Sequence, residues 1–577
     1  MFKPNPSAIR TLALSSRSLL RPQASSARRW LHAQAQNTTR TNTKFLVAAA
    51  AGTLAGFVAY QGLEIGGDVH AEARTAPGEQ TMNLSLQHLQ VESALANPGV
   101  YAWGDNSGKV IASDSKEKVI KTPRRLPFFD GILLRDLQLG QDAGVAVNDK
   151  GDVLQWGNGY STGIQTPEPT LKGKNIERVV LTKDKVIALS KDKTIYTFPI
   201  AKALQHDGTK VTESSWIPGM SSTSDIAYRV LKPELGYFET IKDIAAGREH
   251  LLVLTSNGRV FSSAAAFIYP SRGQMGIPGL RWETRPAGKP ADTLQEITSL
   301  GLHKISQIAA GDYHSAALST TGEVFTFGDN VHGQLGFEYN PETNIYDVPT
   351  QLTLTPLYPA KSTTAKITSI TAGGLNTYLQ VDVTAANNRT SSEVLSCGTG
   401  IYGNLGNGRW THMQGTPTKI KALSNLYEFN ETTQSTEPIR LSALLAGATH
   451  AAAIMSTSAT SDFGADVLLW GNNEFYQLGT GKRNNSSVPV YIQPLDGVPA
   501  TILADTKAFT GSSSRGESAR QSGIIGGAGD TESARITGGE QVHRFQIASH
   551  GKTKDGKKTA QTVVCGRGNS AVFMKAL

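Results

Sequence analysis

Three histidines occupy the same place in a recurring tetrapeptide: Gly247-Arg248-Glu249-His250, Gly311-Asp312-Tyr313-His314 and Gly447-Ala448-Thr449-His450. Imidazole can ligate a metal or carry a proton. Either use needs partners at fixed spacing, such as His-Glu-x-x-His or paired Cys-x-x-Cys, and the chain has neither. His70-Ala71-Glu72 matches His-x-Glu but has no Cys-x-x-Cys to complete it. Each repeated histidine is followed by a run of small or apolar residues. They therefore read as structural groups that bond to backbone and lock turns. Cys397 and Cys565 are the only cysteines, too few for a disulfide framework, and each is followed by glycine at a strand end. No Walker loop is present, and the glycines of 526–529 lie in a low-complexity stretch with no helix pattern behind them. These residues support neither catalysis nor a metal or cofactor. Trp103, Trp156, Phe327 and Trp470 hold equivalent strand ends, which points to repeated packing rather than an aromatic site. Trp410 follows Gly-Asn-Gly-Arg on a connecting loop and is the better exposed contact.

The elements that carry these residues are short strands. In Ile305–Gly336, apolar residues alternate between Gly- and Asn-rich turns, a period of two. The Gly-x-x-His position returns in weaker form at Gly140 to Ala143, Gly373 to Asn376 and Gly566 to Asn569, and degenerately at Thr182 and Lys185. The strand after it recurs too, at Val100–Trp103, Val153–Trp156, Thr194–Thr197, Val260–Ser262, Val324–Phe327, Val394–Cys397 and Val467–Trp470. Leu-Gly pairs follow at Leu335-Gly336, Leu405-Gly406 and Leu478-Gly479. Both series count seven. A four-stranded sheet cannot bury both its faces alone, so the counts predict seven sheets stacked around an axis. The last Gly-x-x-x copy lacks a following strand, and Val100–Trp103 lacks a preceding copy. Joining them would close the ring with strands from both termini.

The combination of Gly-x-x-His, an aromatic strand ending in Trp-Gly or Phe-Gly, and Gly-Gln-Leu-Gly resembles the regulator of chromosome condensation repeat family. The resemblance implies an all-β, seven-bladed β-propeller over residues 97–577. Gly247, His250, Gly311, His314, Gly447, His450, Trp103, Trp156, Phe327 and Trp470 would be its structural repeat positions. Residues 505–541 form a Gly- and Ser-rich insertion with few apolar residues. Ala201–Ile241 and 421–440 read as long connections.

Residues 1–63 contain no acidic residue. Eight of the chain's 56 Lys and Arg lie there, which leaves 48 basic against 48 acidic residues in 64–577. The first 36 residues have the basic, Ser- and Ala-rich composition of a mitochondrial transit peptide. The body is neutral, so composition gives no nucleic-acid footprint. Residues 45–63 are uncharged and, as a helix, would be about 28 Å long, enough to cross a bilayer. The sequence thus predicts a single transmembrane helix before the propeller, with Phe45 and Tyr60 in the anchor and Gly52 and Gly56 forming a Gly-x-x-x-Gly pair inside it. Residues 64–96 read as a linker. Positive flanks on the matrix side would put the propeller in the intermembrane space.

Presequence, span and repeats together resemble a fungal mitochondrial inner-membrane member of the family that supports assembly of respiratory complex III, the ubiquinol–cytochrome c reductase. The resemblance implies a non-enzymatic scaffold that binds complex III subunits or assembly intermediates. Two other readings remain open. One is a guanine-nucleotide exchange factor for a mitochondrial GTPase. The other is a mitochondrial ribosome assembly factor.

Overall fold

The strands Ile305–Ala310, His314–Ser319, Val324–Asp329 and Ile345–Leu352 pair antiparallel in chain order. His314–Ser319 is buried at every position. Its two faces enter different cores: Ala316 and Leu318 pack with the sheet that follows, and Ala317 with the sheet before. Burial on both faces is why the strand carries no outward polar series. The computed structural model describes residues 90–214, 221–285, 290–359, 363–430, 433–457, 464–492, 495 and 544–577.

The same unit recurs as five separate sheets. Besides the one above, they run from Ile176–Leu181 to Arg229–Leu231, from Ile241–Ala246 to Gln295–Glu296, from Thr363–Gly373 to Gln414–Lys419, and from Leu441–Ala446 to Ser486–Tyr491. Gln546–Ile547 adds a fifth strand to the last. Apolar clusters fill the space between neighbouring sheets. Leu251 and Val253 face one neighbour, and Leu252 and Leu254 the other.

The remaining blade strands do not form two further separate blades. They merge into one nine-stranded sheet that holds strands from both ends of the described chain. Asn569–Ala576 pairs with Lys558–Cys565 on one side and Val100–Asp105 on the other. Leu134 then pairs in parallel with Lys575 and joins Leu134–Leu139 and its hairpin partners to the same sheet. This corrects the expected seven blades: the propeller has five separate blades and one merged sheet. The expected transmembrane helix has no counterpart among the described residues, and its own residues 45–63 lie outside them. No helix among the described residues is long and apolar enough to cross a membrane. Phe45, Gly52, Gly56 and Tyr60 lie outside the described residues, as do residues 1–36, 64–89 and 505–541.

Two irregularities recur with the unit. The first strand carries a register shift, seen at Ile305/Gln307, Ile241/Asp243 and Leu441/Ala443. Such a bulge re-aims side chains. Gln307 Nε2 donates to Ile370 O at 2.9 Å, and Ile370 N donates back to Gln307 Oε1 at 3.1 Å, which ties one sheet to the next. The third strand has a left-handed glycine near its end. Gly328 has φ +110°, and a Cβ there would lie 2.6 Å from Tyr313 O. Residues 90–96 are helical and lie against the last blade, where Gln546 N donates to Gln90 Oε1 at 2.9 Å.

Candidate functional site

The repeated histidines are buried and bridge one repeat to the next. His250 Nε2 lies 2.8 Å from Ser315 Oγ, His314 Nε2 2.8 Å from Thr377 Oγ1, and His450 Nε2 2.8 Å from Ser570 Oγ. Each hydroxyl already donates to a carbonyl, of Gln274, Gln334 and Gln477 respectively, at 2.8 Å. The hydroxyl hydrogen is therefore used, and Nε2 must be the donor. Nδ1 has no hydrogen-bond partner in any of the three rings. They are thus neutral, with the proton on Nε2. Burial holds His250 down at about 3, and His314 and His450 at about 4. The glycine of Gly-x-x-His is fixed by the same contact, because a Cβ on Gly311 or Gly247 would collide with the ring of His314 or His250.

The aromatic strand ends also reach across. The indole Nε1 groups of Trp103, Trp156 and Trp470 donate to Gln477 O, Val110 O and Asn404 O at 2.8, 2.7 and 2.9 Å. Phe327, with no polar atom, fills the matching place and is fully buried. None of these ten repeat residues faces a shared cleft as an acid, base or ligand. Among the described residues no cluster of His, Cys, Asp or Glu could hold a metal. Cys397 and Cys565 are both free, and burial pushes the Cys397 thiol up to about 12.

The repeat turns do converge, on a pocket of about 430 Å³ at the axis. Its wall is made by the residue after each repeat glycine: Gln141, Arg248, Asp312, Gly374, Ala448 and Arg567, with Lys183 after Thr182. Their backbones are linked. Lys183 N donates to Arg248 O at 2.9 Å, Arg248 N to Asp312 O at 3.1 Å, and Asp312 N to Gly374 O at 2.7 Å. Arg567 Nη2 meets Asp312 Oδ1 at 2.6 Å, a contact between residues 255 apart in the chain. At the mouth, Phe267 is 61% exposed and Leu204, on the helix Lys202–Asp207, is 47% exposed. Asp184 accepts the Phe267 N–H at 3.0 Å, and Lys185 Nζ lies 5.2 Å from the centre of the Phe267 ring.

Further apolar side chains at this end, on the loops between third and fourth strands, are Trp282 and Trp410, 57% and 55% exposed. Exposed aromatic, leucine and arginine groups around a concavity make a surface suited to a protein partner. Sequence reasoning picked out Trp410 and passed over Phe267, Arg248, Asp312 and Arg567. The signal for the last three was the variable second position of each repeat.

The architecture defines the class: a β-propeller. A family model described as "Regulator of chromosome condensation (RCC1) repeat" matches residues 241–263 and 305–334, and a second matches 321–379 and 465–504. Those segments carry the repeat. It is similar to Protein FMP25, mitochondrial, of Saccharomyces cerevisiae, with 25% identity over 70% of this chain and 68% of that one. It is also similar to the guanine nucleotide exchange factor SRM1 of the same yeast, with 24% identity over 48% of this chain; the match spans 58% of SRM1. The crystal structure of human WBSCR16 shares the fold, with TM-score 0.52 and 16% identity over 83% of this chain and all of that one.

Proposed function

We propose that the protein is a non-catalytic binding scaffold of mitochondria that supports assembly of respiratory complex III. The observation that carries the binding role is the axial pocket mouth. Arg248, Asp312 and Arg567 stand there beside the exposed Phe267. The mitochondrial part is supported by the likeness to FMP25. The finer role, with complex III subunits or intermediates as partners, rests on the resemblance of the whole chain plan. Residues 1–36 act as the targeting segment in this reading, and the propeller works on the intermembrane-space side of the inner membrane. Deleting the protein should reduce mature complex III on native gels while mitochondrial translation stays normal. Normal complex III in that strain would refute the role. Protease digestion of the propeller in mitoplasts but not in intact mitochondria checks the placement.

The likeness to SRM1 favours one second reading, nucleotide exchange on a mitochondrial GTPase. It requires faster nucleotide release from a purified GTPase when the propeller is added. An unchanged release rate with the mitochondrial candidates would exclude it.

A further inference from the structure

The end of the propeller opposite the axial pocket mouth carries the turns between second and third strands and the connections from blade to blade. The three most exposed large hydrophobic side chains described are there: Leu302 at 97%, Phe238 at 91% and Tyr237 at 90%. A buried support holds the two aromatics. Glu239 is buried, and its Oε2 accepts the Gly236 N–H at 2.8 Å and Arg259 Nη1 at 2.7 Å. Arg259 Nη1 also donates to Glu234 O at 3.2 Å, and its Nε to Glu296 Oε1 at 2.8 Å. Phe238 sits at φ +61°, a backbone region that disfavours a bulky side chain. The two rings touch edge to face, with centroids 4.7 Å apart, and add nothing to the core. A strained turn anchored on the buried Glu239 carboxylate that presents apolar groups to solvent points to a contact outside the chain.

The patch is continuous. Ser256 N donates to Thr240 O at 2.8 Å, and Ile305 N to Gly258 O at 3.0 Å, so the turn 256–259 joins the connection bearing Tyr237 to the one bearing Leu302. Leu357 and Phe429 extend it along the following blades, 39% and 60% exposed. Lys191, Lys232, Lys242, Lys304, Lys366 and Lys421 lie on the same arc, and none has a carboxylate partner among the described residues. The carboxylates there without a Lys or Arg partner are Asp192, Glu234, Glu323, which meets the His303 ring, Glu428 and Glu437, five against six lysines. The apolar tips and surplus lysines are spread along an arc of blades rather than gathered round a cavity. That layout fits a broad anionic surface better than a single protein anchor.

We propose that this end docks on an anionic lipid bilayer, with Tyr237, Phe238 and Leu302 in the headgroup region and the lysines over the phosphates. The contact is peripheral and is independent of the protein-binding role at the other end.

The test places an environment-sensitive fluorophore on Phe238→Cys, Leu302→Cys and, at the opposite end, Glu342→Cys, each in the full chain, with the labelled parent as blank. Vesicles contain brominated phosphatidylcholine, with or without cardiolipin. Site-specific quenching separates this contact from any other attachment of the chain to the vesicle. On cardiolipin vesicles the labels at 238 and 302 should be quenched at least about twofold more than the label at 342. Adding Lys232→Glu and Lys304→Glu should weaken that quenching, and so should salt. Equal quenching at all three sites, or none, overturns the proposal. Quenching of the same strength without cardiolipin overturns the anionic part. If mitochondrial extract shields the 238 label from a water-soluble quencher while lipid does not, the surface binds protein and the proposal falls.

Discussion

At the scale of single residues the propeller is held by a chain of small dependences. The ring of His314 presses on Gly311, and its Nε2–H is satisfied only by Thr377, whose hydroxyl is satisfied by Gln334 O. Replacing His314 by alanine leaves a cavity and strips Thr377 Oγ1 of a donor, so a loss of about 2–4 kcal/mol is expected in denaturant unfolding. Gly311→Ala should destabilise by a similar amount by overpacking the same ring. The pH dependence has a definite sign. The folded proteins hold His250, His314 and His450 neutral, with values of about 3, 4 and 4, whereas an unfolded chain protonates them near 6.5. Their contribution to stability is fully present above about pH 6.5 and is lost as the pH falls towards 4. At pH 5 the loss is about 2 kcal/mol per histidine. Urea unfolding between pH 7.5 and 5 checks this, and His450→Asn should flatten the slope by about one third if the three act alike. The histidines were legible as structural from their repetition. Their partners were not, since Ser315, Thr377 and Ser570 belong to the next repeat and look like ordinary strand residues.

At the scale of elements, the pattern of two made the strands legible and left their grouping open. Apart from Gln546–Ile547, every separate sheet grows from adjacent segments, so local reading finds it. The merged sheet depends on a single parallel pairing, Leu134 with Lys575, between residues more than 400 positions apart, and no periodicity encodes that. The strand Arg229–Leu231 was hidden for another reason. It has three residues, and it follows a helix and a two-stranded hairpin within what reads as an irregular connection. Closure by both termini makes Asn569–Ala576 the strand on which the ring depends. It is bonded along both edges and buries Val572, Phe573 and Met574. A chain ending at Gly568 would expose two strand edges and the apolar core that Val572, Phe573 and Met574 cover. Such a truncation should lose cooperative thermal unfolding and aggregate, while a truncation removing only the exposed Leu577 should behave as the full chain does.

At the scale of the whole molecule, the two ends of the propeller differ. One gathers the repeat turns around the axial pocket. The other spreads lysines and apolar tips along an arc. Net charge conceals this, because the body beyond residue 63 carries equal numbers of basic and acidic residues, and only the strand order sorts them by end. The axial end allows a clean separation of binding from stability. Arg567 and Asp312 are partly exposed, with side-chain exposures of 35% and 17%, so their pair is worth no more than about 1 kcal/mol. Arg248 makes its structural bonds through its backbone, and Phe267 is mostly in solvent. Arg248→Glu with Phe267→Ala should therefore leave the melting temperature within about 2 °C of the parent. If the mouth of the pocket grips the partner, the same variant, expressed at the parent's level in a deletion strain, should fail to restore mature complex III. Full restoration by the stable variant would move the binding face away from the axis. Failure with a collapsed melting temperature would show that these side chains hold the ring together. Arg567→Lys separates the two cases further: it keeps the charge facing Asp312 but loses the planar fork, so it should preserve stability and weaken any contact that needs guanidinium geometry.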